Sequence, residues 1–306
     1  RFIVRRASPS ETLGGGEIID PNPPRHRRFR PETLAALETL AAGSADEIIL
    51  QALRQQPVEV RALRTGTAGL DSTQVDAALA HLIAENDVVV LGARGQRPGS
   101  ADFVVAAELW RPTLERLVSV LRTFHTAQPV RPGMAREEAR NRMNGVAGRL
   151  FDDMVATAAA SGALVDDGAT LRLPDFRITL APAKRERADA FVAAARTQPY
   201  APPGPHEFEL DAETLAALEH MGEIEKIADG VYFTPDAWQT IIEGTLRFID
   251  EQGTMTLAQF RDHFGTSRKY AQAALEHLDR LKYTRRVGDD RVRGPRRPGP
   301  DTPATT

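Results

Sequence analysis

Two short runs near the C-terminus hold the side chains with the most evident chemistry. The first is Thr266, Ser267, Arg268, Lys269 and Tyr270; the second holds Lys282, Tyr283, Arg285, Arg286 and Arg291. Guanidinium and ammonium groups neutralise phosphate, and guanidinium also bonds in bidentate fashion and stacks on flat rings. Tyr270 and Tyr283 could stack on an extruded base or pack in a core; at Tyr270 both readings stay open. From Arg261 to Arg297 there are eleven Lys/Arg against five Asp/Glu, a balance of +6, in a chain whose net charge is −3. The remaining residues are therefore acidic by about nine charges. Positive charge gathered at one end of an acidic chain marks an electrostatic footprint for nucleic acid, although a solvated charged face gives the same count.

The elements that must position these residues follow from spacing. Phe248, Ile249, Leu257, Phe260, Ala271, Ala274, Leu275 and Leu278 recur at helical intervals and predict one buried face on three short helices. Gly265 interrupts the second and third helices, as a helix-turn-helix requires. Thr266 or Ser267 is a suitable N-cap, placing Arg268 and Lys269 in the first turn of the third helix. Cations there oppose the macrodipole at a cost of a few tenths of a kcal/mol, which suggests an anionic ligand for them. Beyond this helix, Gly288-Asp289-Asp290 between two strand-like runs predicts a tight hairpin, and the whole reads as a winged helix with base-rich wing and helix start.

The run Phe260 to Tyr270, with Gly-Thr-Ser-Arg-Lys-Tyr, and the later Thr284-Arg-Arg-Val-Gly-Asp-Asp-Arg-Val292 resemble the last winged-helix domain of the bacterial selenocysteine-specific elongation factors, the SelB family. The chain has Ala273-Ala274 where a Pro-Leu pair is common in that family. A second resemblance lies at the other end. Arg-Phe-Ile-Val-Arg-Arg and Thr-Leu-Gly-Gly-Gly-Glu-Ile-Ile-Asp resemble the closing strands of that factor's third domain, a barrel akin to one in elongation factor Tu. Strands are expected at Arg1–Arg6 and Glu17–Asp20, joined by the loop Gly14-Gly15-Gly16. The glycines are not a phosphate-binding loop, since no Gly-Lys-Ser/Thr follows them.

Between these ends, a helix running into a strand, a polar turn and a second strand recurs four times: near Val75–Val90, Leu150–Leu173, Leu215–Phe233 and Ala274–Val292. Each has room upstream for two further helices. The expected fold is mainly α with small β-wings (α+β), a tandem array of four winged-helix domains after the last strands of a β-barrel. The expected limits are 1–24 for the barrel remnant, 25–110, 111–175, 176–237 and 238–293 for the winged helices, and 294–306 for a disordered tail. Pro21–Arg28 reads as a linker and Pro199–Pro205 as a loop inside the third domain.

Only the fourth repeat is basic. Asp152, Asp153, Asp166 and Asp167 dominate the corresponding place in the second, and Glu219, Glu223, Glu225 and Asp229 in the third. Those acids would repel phosphate and suit a spacer. Arg136–Arg142 reads as a charged, solvated helix face. His81, His220 and His277 fall at comparable positions and suggest one shared structural environment rather than a metal site. There is no Cys, which excludes disulfides and thiolate chemistry, and no nucleophile–His–acid set stands out. The chain begins at Arg1, inside what reads as a strand, and is expected to be part of a longer protein.

The resemblance implies an arm that binds a hairpin in mRNA, so that selenocysteinyl-tRNA is delivered at a UGA codon. The RNA-contacting set it implies is Arg268, Lys269, Tyr270, Thr266, Ser267, Lys282, Arg285, Arg286 and Arg291, with no metal and no catalytic residue. GTP and magnesium are expected only for the full-length parent, and this chain is expected not to be an enzyme. A cytoplasmic monomer is expected, meeting tRNA and ribosome through the parent and making no membrane contact. The competing reading is a winged-helix DNA-binding transcriptional regulator, because one fold serves many functions.

Overall fold

The computed structural model describes residues 2–16, 18, 30–67, 69–92 and 97–296. The linker expected at 21–28 and the tail from 297 onward lie outside the described residues. The chain divides into two compact halves, one of residues 1–127 and 133–176, the other of 128–132 and 177–306.

The N-terminal half opens with an antiparallel hairpin, β1 (Phe2–Arg6) on β2 (Glu11–Gly16). The glycine triplet therefore ends a strand instead of forming the loop, which lies at 7–10. Close backbone approach accounts for this: a Cβ on Gly15 would sit 2.6 Å from the Phe2 carbonyl oxygen, and Gly16 lies under the Phe2 ring. Phe2, Ile3, Val4 and Leu13 are exposed. Of the second strand expected at Glu17–Asp20, only Ile18 is described, and it is not in a strand.

A first helical module follows. It contains α1 (Pro31–Ala42), α2 (Ala45–Leu53), β3 (Val58–Glu59), α3 (Val60–Gly66), α4 (Ser72–Ala84), β4 (Val88–Val90) and β5 (Phe103–Ala106). Ser44 and Glu47 form a capping box on α2, as do Asp71 and Gln74 on α4. The second module holds α5 (Ala107–Ala127), β6 (Met134–Ala135), α6 (Arg136–Arg142), α7 (Gly148–Ala160), β7 (Val165–Asp166) and β8 (Thr170–Arg172). α5 starts directly from β5, so a boundary at 110/111 would cut this helix.

In the C-terminal half, the third module has α8 (Pro182–Thr197), a 3₁₀ turn at Pro205–Phe208, α9 (Ala212–His220), β9 (Glu225–Ala228) and β10 (Val231–Phe233). The fourth has α10 (Pro235–Gln252), β11 (Met255–Thr256), α11 (Leu257–Phe264), α12 (Arg268–Arg280), β12 (Thr284–Val287) and β13 (Asp290–Arg293). Three sheets share one antiparallel topology, β3-β5-β4, β6-β8-β7 and β11-β13-β12, with the strand before the module's last two helices paired to its last strand. The third module departs from it. Its sheet is the β9–β10 hairpin alone, and the 3₁₀ turn replaces one of the two upstream helices. Pro202, Pro203 and Pro205 lack the N–H groups that a ladder or an α-helix needs there.

Among the described residues, four apolar clusters follow one another in sequence. The last two are not sealed from each other. Ile227, Val231 and Phe233 of the third module lie in the same cluster as Trp238, Ile241, Leu275 and Leu278 of the fourth. Modules three and four thus share a core.

Candidate nucleic-acid interface

Gly265 ends α11 in the left-handed region (φ 59°), where a side chain is strained, and the chain re-enters helix at Arg268. At 100° per residue, α12 presents three faces. Ala271, Ala274, Leu275 and Leu278 are fully buried in the module's own core. Arg268, Gln272 and Glu276 form a stripe at intervals of four, lining a groove. Tyr270 and His277 lie on a third face, against the third module. The helix runs unbroken through Ala273-Ala274.

The groove has a volume of about 350 Å³ and is mainly polar. Its other walls are Thr256, Leu257 and Ala258 at the start of α11, and Arg286, Asp289 and Arg291 on the wing. Strand pairing decides which wing residues reach it. Arg286 faces Arg291 across the ladder and Arg285 faces Val292, so Arg285 projects from the opposite side. Arg291 is nearly buried; its Nε donates to Asp279 Oδ2 (3.3 Å), while Thr284 Oγ1 donates to Asp279 Oδ1 (2.5 Å). Asp279 therefore ties α12 to both wing strands.

Of the basic residues expected to meet RNA, Arg268, Arg286 and Arg291 converge on the groove, whereas Lys269, Lys282 and Arg285 are exposed outside it. Among the described residues, Arg268, Lys269, Lys282 and Arg285 make no ion pair. Arg286 makes a loose, exposed ion pair with Asp289 at 3.7 Å, of little energetic weight, and its Nε donates to the Gly288 carbonyl at 2.9 Å. Ser267 occupies the N-cap position, but no side chain caps α12, leaving its first N–H groups for solvent or an anion. Thr266 is not the cap: it is buried, and its hydroxyl donates to the Tyr200 carbonyl. The Tyr270 hydroxyl donates to the Pro202 carbonyl at 2.6 Å. Both hydroxyls are thus engaged within the chain. Tyr283 is buried, with the Arg296 guanidinium 4.8 Å above its ring. Backbone bonds from Gly294 to Tyr283 and from Arg296 to Lys282 order the first residues of the stretch expected to be disordered.

Sequence reasoning misses Gln272, Glu276, Thr256 and Asp279. The i, i+4, i+8 spacing of Arg268, Gln272 and Glu276 is the signal that places the first two beside the arginine.

The acids of modules two and three are largely spoken for. Arg136 bonds to Asp152 (3.0 Å) and Asp166 (2.7 Å), Arg172 to Asp167, Arg185 to Glu223, and Lys226 to Asp229. Their repulsion of phosphate is correspondingly weaker than a count of acids suggests. In α6, Arg140 and Arg142 pair with Glu137 and Glu138. The three compared histidines do not share an environment. His81 is exposed beside Asp46 and His220 is exposed, but His277 is buried, edge-on to Trp238. Among the described residues, no three His, Asp or Glu side chains converge as a metal site, and no helix is long and apolar enough to cross a membrane.

Two titrating groups in this half oppose each other. Burial, helped by Arg280, pushes His277 down to about 4. Burial, helped by Glu219, pushes the Glu225 carboxyl up to about 7. His277 costs stability as pH falls from 6.5 toward 4, because the unfolded chain binds the proton more readily. Glu225 costs stability as pH rises from 4.5 toward 7, because the folded state holds its proton longer. The wild-type half is therefore expected to unfold with little pH dependence between pH 4.5 and 6.5, followed by Trp238 fluorescence. Glu225→Gln should unmask a stability that rises with pH, and His277→Asn one that falls, each at most about 1 kcal/mol per pH unit after solvent screening. Parallel profiles in both variants would contradict the assignment.

Comparison with known proteins finds matches in two of the four modules. Residues 118–173 and 247–293 each match a family model described as elongation factor SelB, winged helix. The selenocysteine-specific elongation factor of Desulfomicrobium baculatum is 27% identical over 303 residues, covering 95% of this chain and 46% of the relative. That of Escherichia coli K12 is 25% identical over 308 residues, with the same coverage. A solved structure of the mRNA-binding domain of elongation factor SelB from E. coli, in complex with SECIS RNA, aligns with 38% of this chain and 99% of its own at 24% identity and a TM-score of 0.31. The chain spans about half the length of the curated relatives it matches. Residues 118–173 and 247–293 thus match SelB winged-helix models, in a chain similar along nearly its whole length to part of a selenocysteine-specific elongation factor.

Proposed function

We propose that this chain is the RNA-binding arm of a selenocysteine-specific translation elongation factor. Its fourth module would hold the selenocysteine-insertion hairpin of an mRNA, so that selenocysteinyl-tRNA is delivered at UGA. The carrying observation is local: within a SelB winged helix, Arg268, Arg286 and Arg291 line one groove, while Lys269, Lys282 and Arg285 stand around it with no ion-pair partner among the described residues. Arg268 and Lys269 sit at an uncapped helix start, where backbone N–H groups and cations act together on phosphate. Ser267, exposed at the same turn, adds a hydroxyl for phosphate oxygen. Thr266 and Tyr270 contribute by placing this turn.

In this reading four successive winged helices follow the hairpin at 2–16, which closes a preceding barrel, with the limits expected at 110/111 and 237/238 moved to the starts of α5 and α10. The first three hold the fourth at a distance from the tRNA-binding part. GTP and magnesium would be bound elsewhere in the factor, because no Gly-x-x-x-x-Gly-Lys-Ser/Thr occurs in these 306 residues. The factor would act in the cytoplasm as a monomer, with the ribosome as its third partner.

The test is a titration of the chain against a selenoprotein-mRNA hairpin, with a loop-scrambled hairpin and an equal-length DNA duplex as controls, each at two salt concentrations. The expected result is hairpin preference with an affinity that falls steeply with salt. Equal or tighter binding to duplex DNA overturns the proposal in favour of a transcriptional regulator.

A further inference from the structure

Resting on that reading of the fourth module, we infer that the third module is a positioning element for the RNA-binding turn, acting through the hydroxyls of Thr266 and Tyr270. The two cations at the start of α12, Arg268 and Lys269, are bracketed by these two residues. Thr266 Oγ1 donates to the carbonyl of Tyr200, and Tyr270 Oη donates to the carbonyl of Pro202 at 2.6 Å. Both acceptors are main-chain atoms of one short stretch ahead of the 3₁₀ turn. Pro202 and Pro203 stiffen that stretch by fixing their own φ angles.

Ring contacts hold the same junction. Tyr200 lies 5.3 Å from Phe264, in the last turn of α11, and Tyr270 stands edge-on to Phe233 of β10 at 6.3 Å. The other end of α12 is held as well: Arg280 Nη2 donates to the Ile227 carbonyl of β9 at 3.0 Å, and His277 Nδ1 lies 3.1 Å from the same oxygen. The helix is thus fastened to the third module at both ends. Tyr270 and His277 lie on a face turned away from the Arg268–Gln272–Glu276 stripe, so their contacts bear on how that stripe is presented without occupying it.

The physical consequence is an entropic one. Long cations on a loosely held turn must be ordered when RNA binds, and that ordering weakens binding. A turn already fixed by two partly buried hydroxyl bonds to a stiff loop carries less of this cost. Tyr270 therefore serves RNA binding without touching a base, and the third module is more than a spacer.

The experiment compares hairpin binding by the whole chain and by Thr266→Val, Tyr270→Phe and their double variant, with Thr266→Ser as the rescue. Each of the first two removes a hydroxyl and keeps the shape. The double variant is expected to bind about tenfold more weakly, with a shallower dependence on salt, as about one phosphate contact loses occupancy. Thr266→Ser is expected to match wild type. A purely structural defect would lower the active fraction and leave the salt slope unchanged, which overturns the inference. So does wild-type affinity and slope in the double variant. Should the double variant fail to fold, the Ser/Val pair at 266 decides on the same two readouts. A wild-type chain with no hairpin preference removes the underlying reading and the inference together, whereas wild-type preference with unmoved variants removes the inference alone.

Discussion

Arg268→Glu is expected to lower hairpin affinity by about 30- to 100-fold, some 2–3 kcal/mol, without loss of stability. Two effects of the same substitution point in opposite directions, which makes it informative. The change reverses the charge at a groove position shared with Arg286 and Arg291, so phosphate meets repulsion where it met attraction. The same carboxylate at an uncapped helix start interacts favourably with the macrodipole, by about 0.3–1 kcal/mol. Binding should fall while the unfolding temperature stays level or rises. Lys269→Ala, one position away and outside the groove, should cost less and reduce the salt slope by roughly 0.7–0.9, the weight of one phosphate contact. A titration at three salt concentrations beside a thermal melt checks both. Unchanged affinity in Arg268→Glu would remove the groove from the binding surface.

The second large effect concerns the wing. Asp279 is the shared acceptor for Thr284 and for the nearly buried Arg291. Asp279→Ala leaves that guanidinium without its counter-charge, and breaking such a pair is expected to cost about 3 kcal/mol. Hairpin affinity should fall too, since β12 and β13 carry Arg286 and Arg291 into the groove. The double variant Asp279→Leu/Arg291→Met replaces the pair by apolar groups of similar size and should recover most of the stability. If Arg291 contributes to binding directly, affinity stays low in the stable double variant. If its role is to hold the wing, affinity returns with stability. Chemical denaturation and the hairpin titration, run on the same samples, separate the two.

Much of the fold was legible along the chain because its rules act over a few residues. Gly265 between two apolar-periodic runs, the Gly288-Asp289 hairpin and the switch from helical to strand periodicity all show in windows of roughly 20 residues or fewer. The concentration of Arg and Lys in the last repeat is a property of composition alone. Where local rules met a competing long-range contact, they misled. A threonine before a helix suggests a cap, yet Thr266 turns to Tyr200, 66 residues earlier. Three glycines suggest a loop, yet Gly15 and Gly16 end a strand because Phe2 packs against them. The third module lost a helix and a strand to Pro202, Pro203 and Pro205, a proline cluster visible in the sequence as a loop but not as a change of topology.

By itself, then, the sequence determined that the chain builds repeated helix–wing elements and that the last is the basic one, since helix periodicity, turn chemistry and charge are set by residue type and spacing. Only the tertiary structure decided which side chains of that basic element are available. Arg285 and Arg286 are neighbours in the chain but point to opposite sides of the wing, and Arg291 is basic yet nearly buried against Asp279. Tyr270 is held against Pro202, 68 residues away. Availability depends on what packs against each face of α12 and of the wing, and those partners come from segments that only folding brings together.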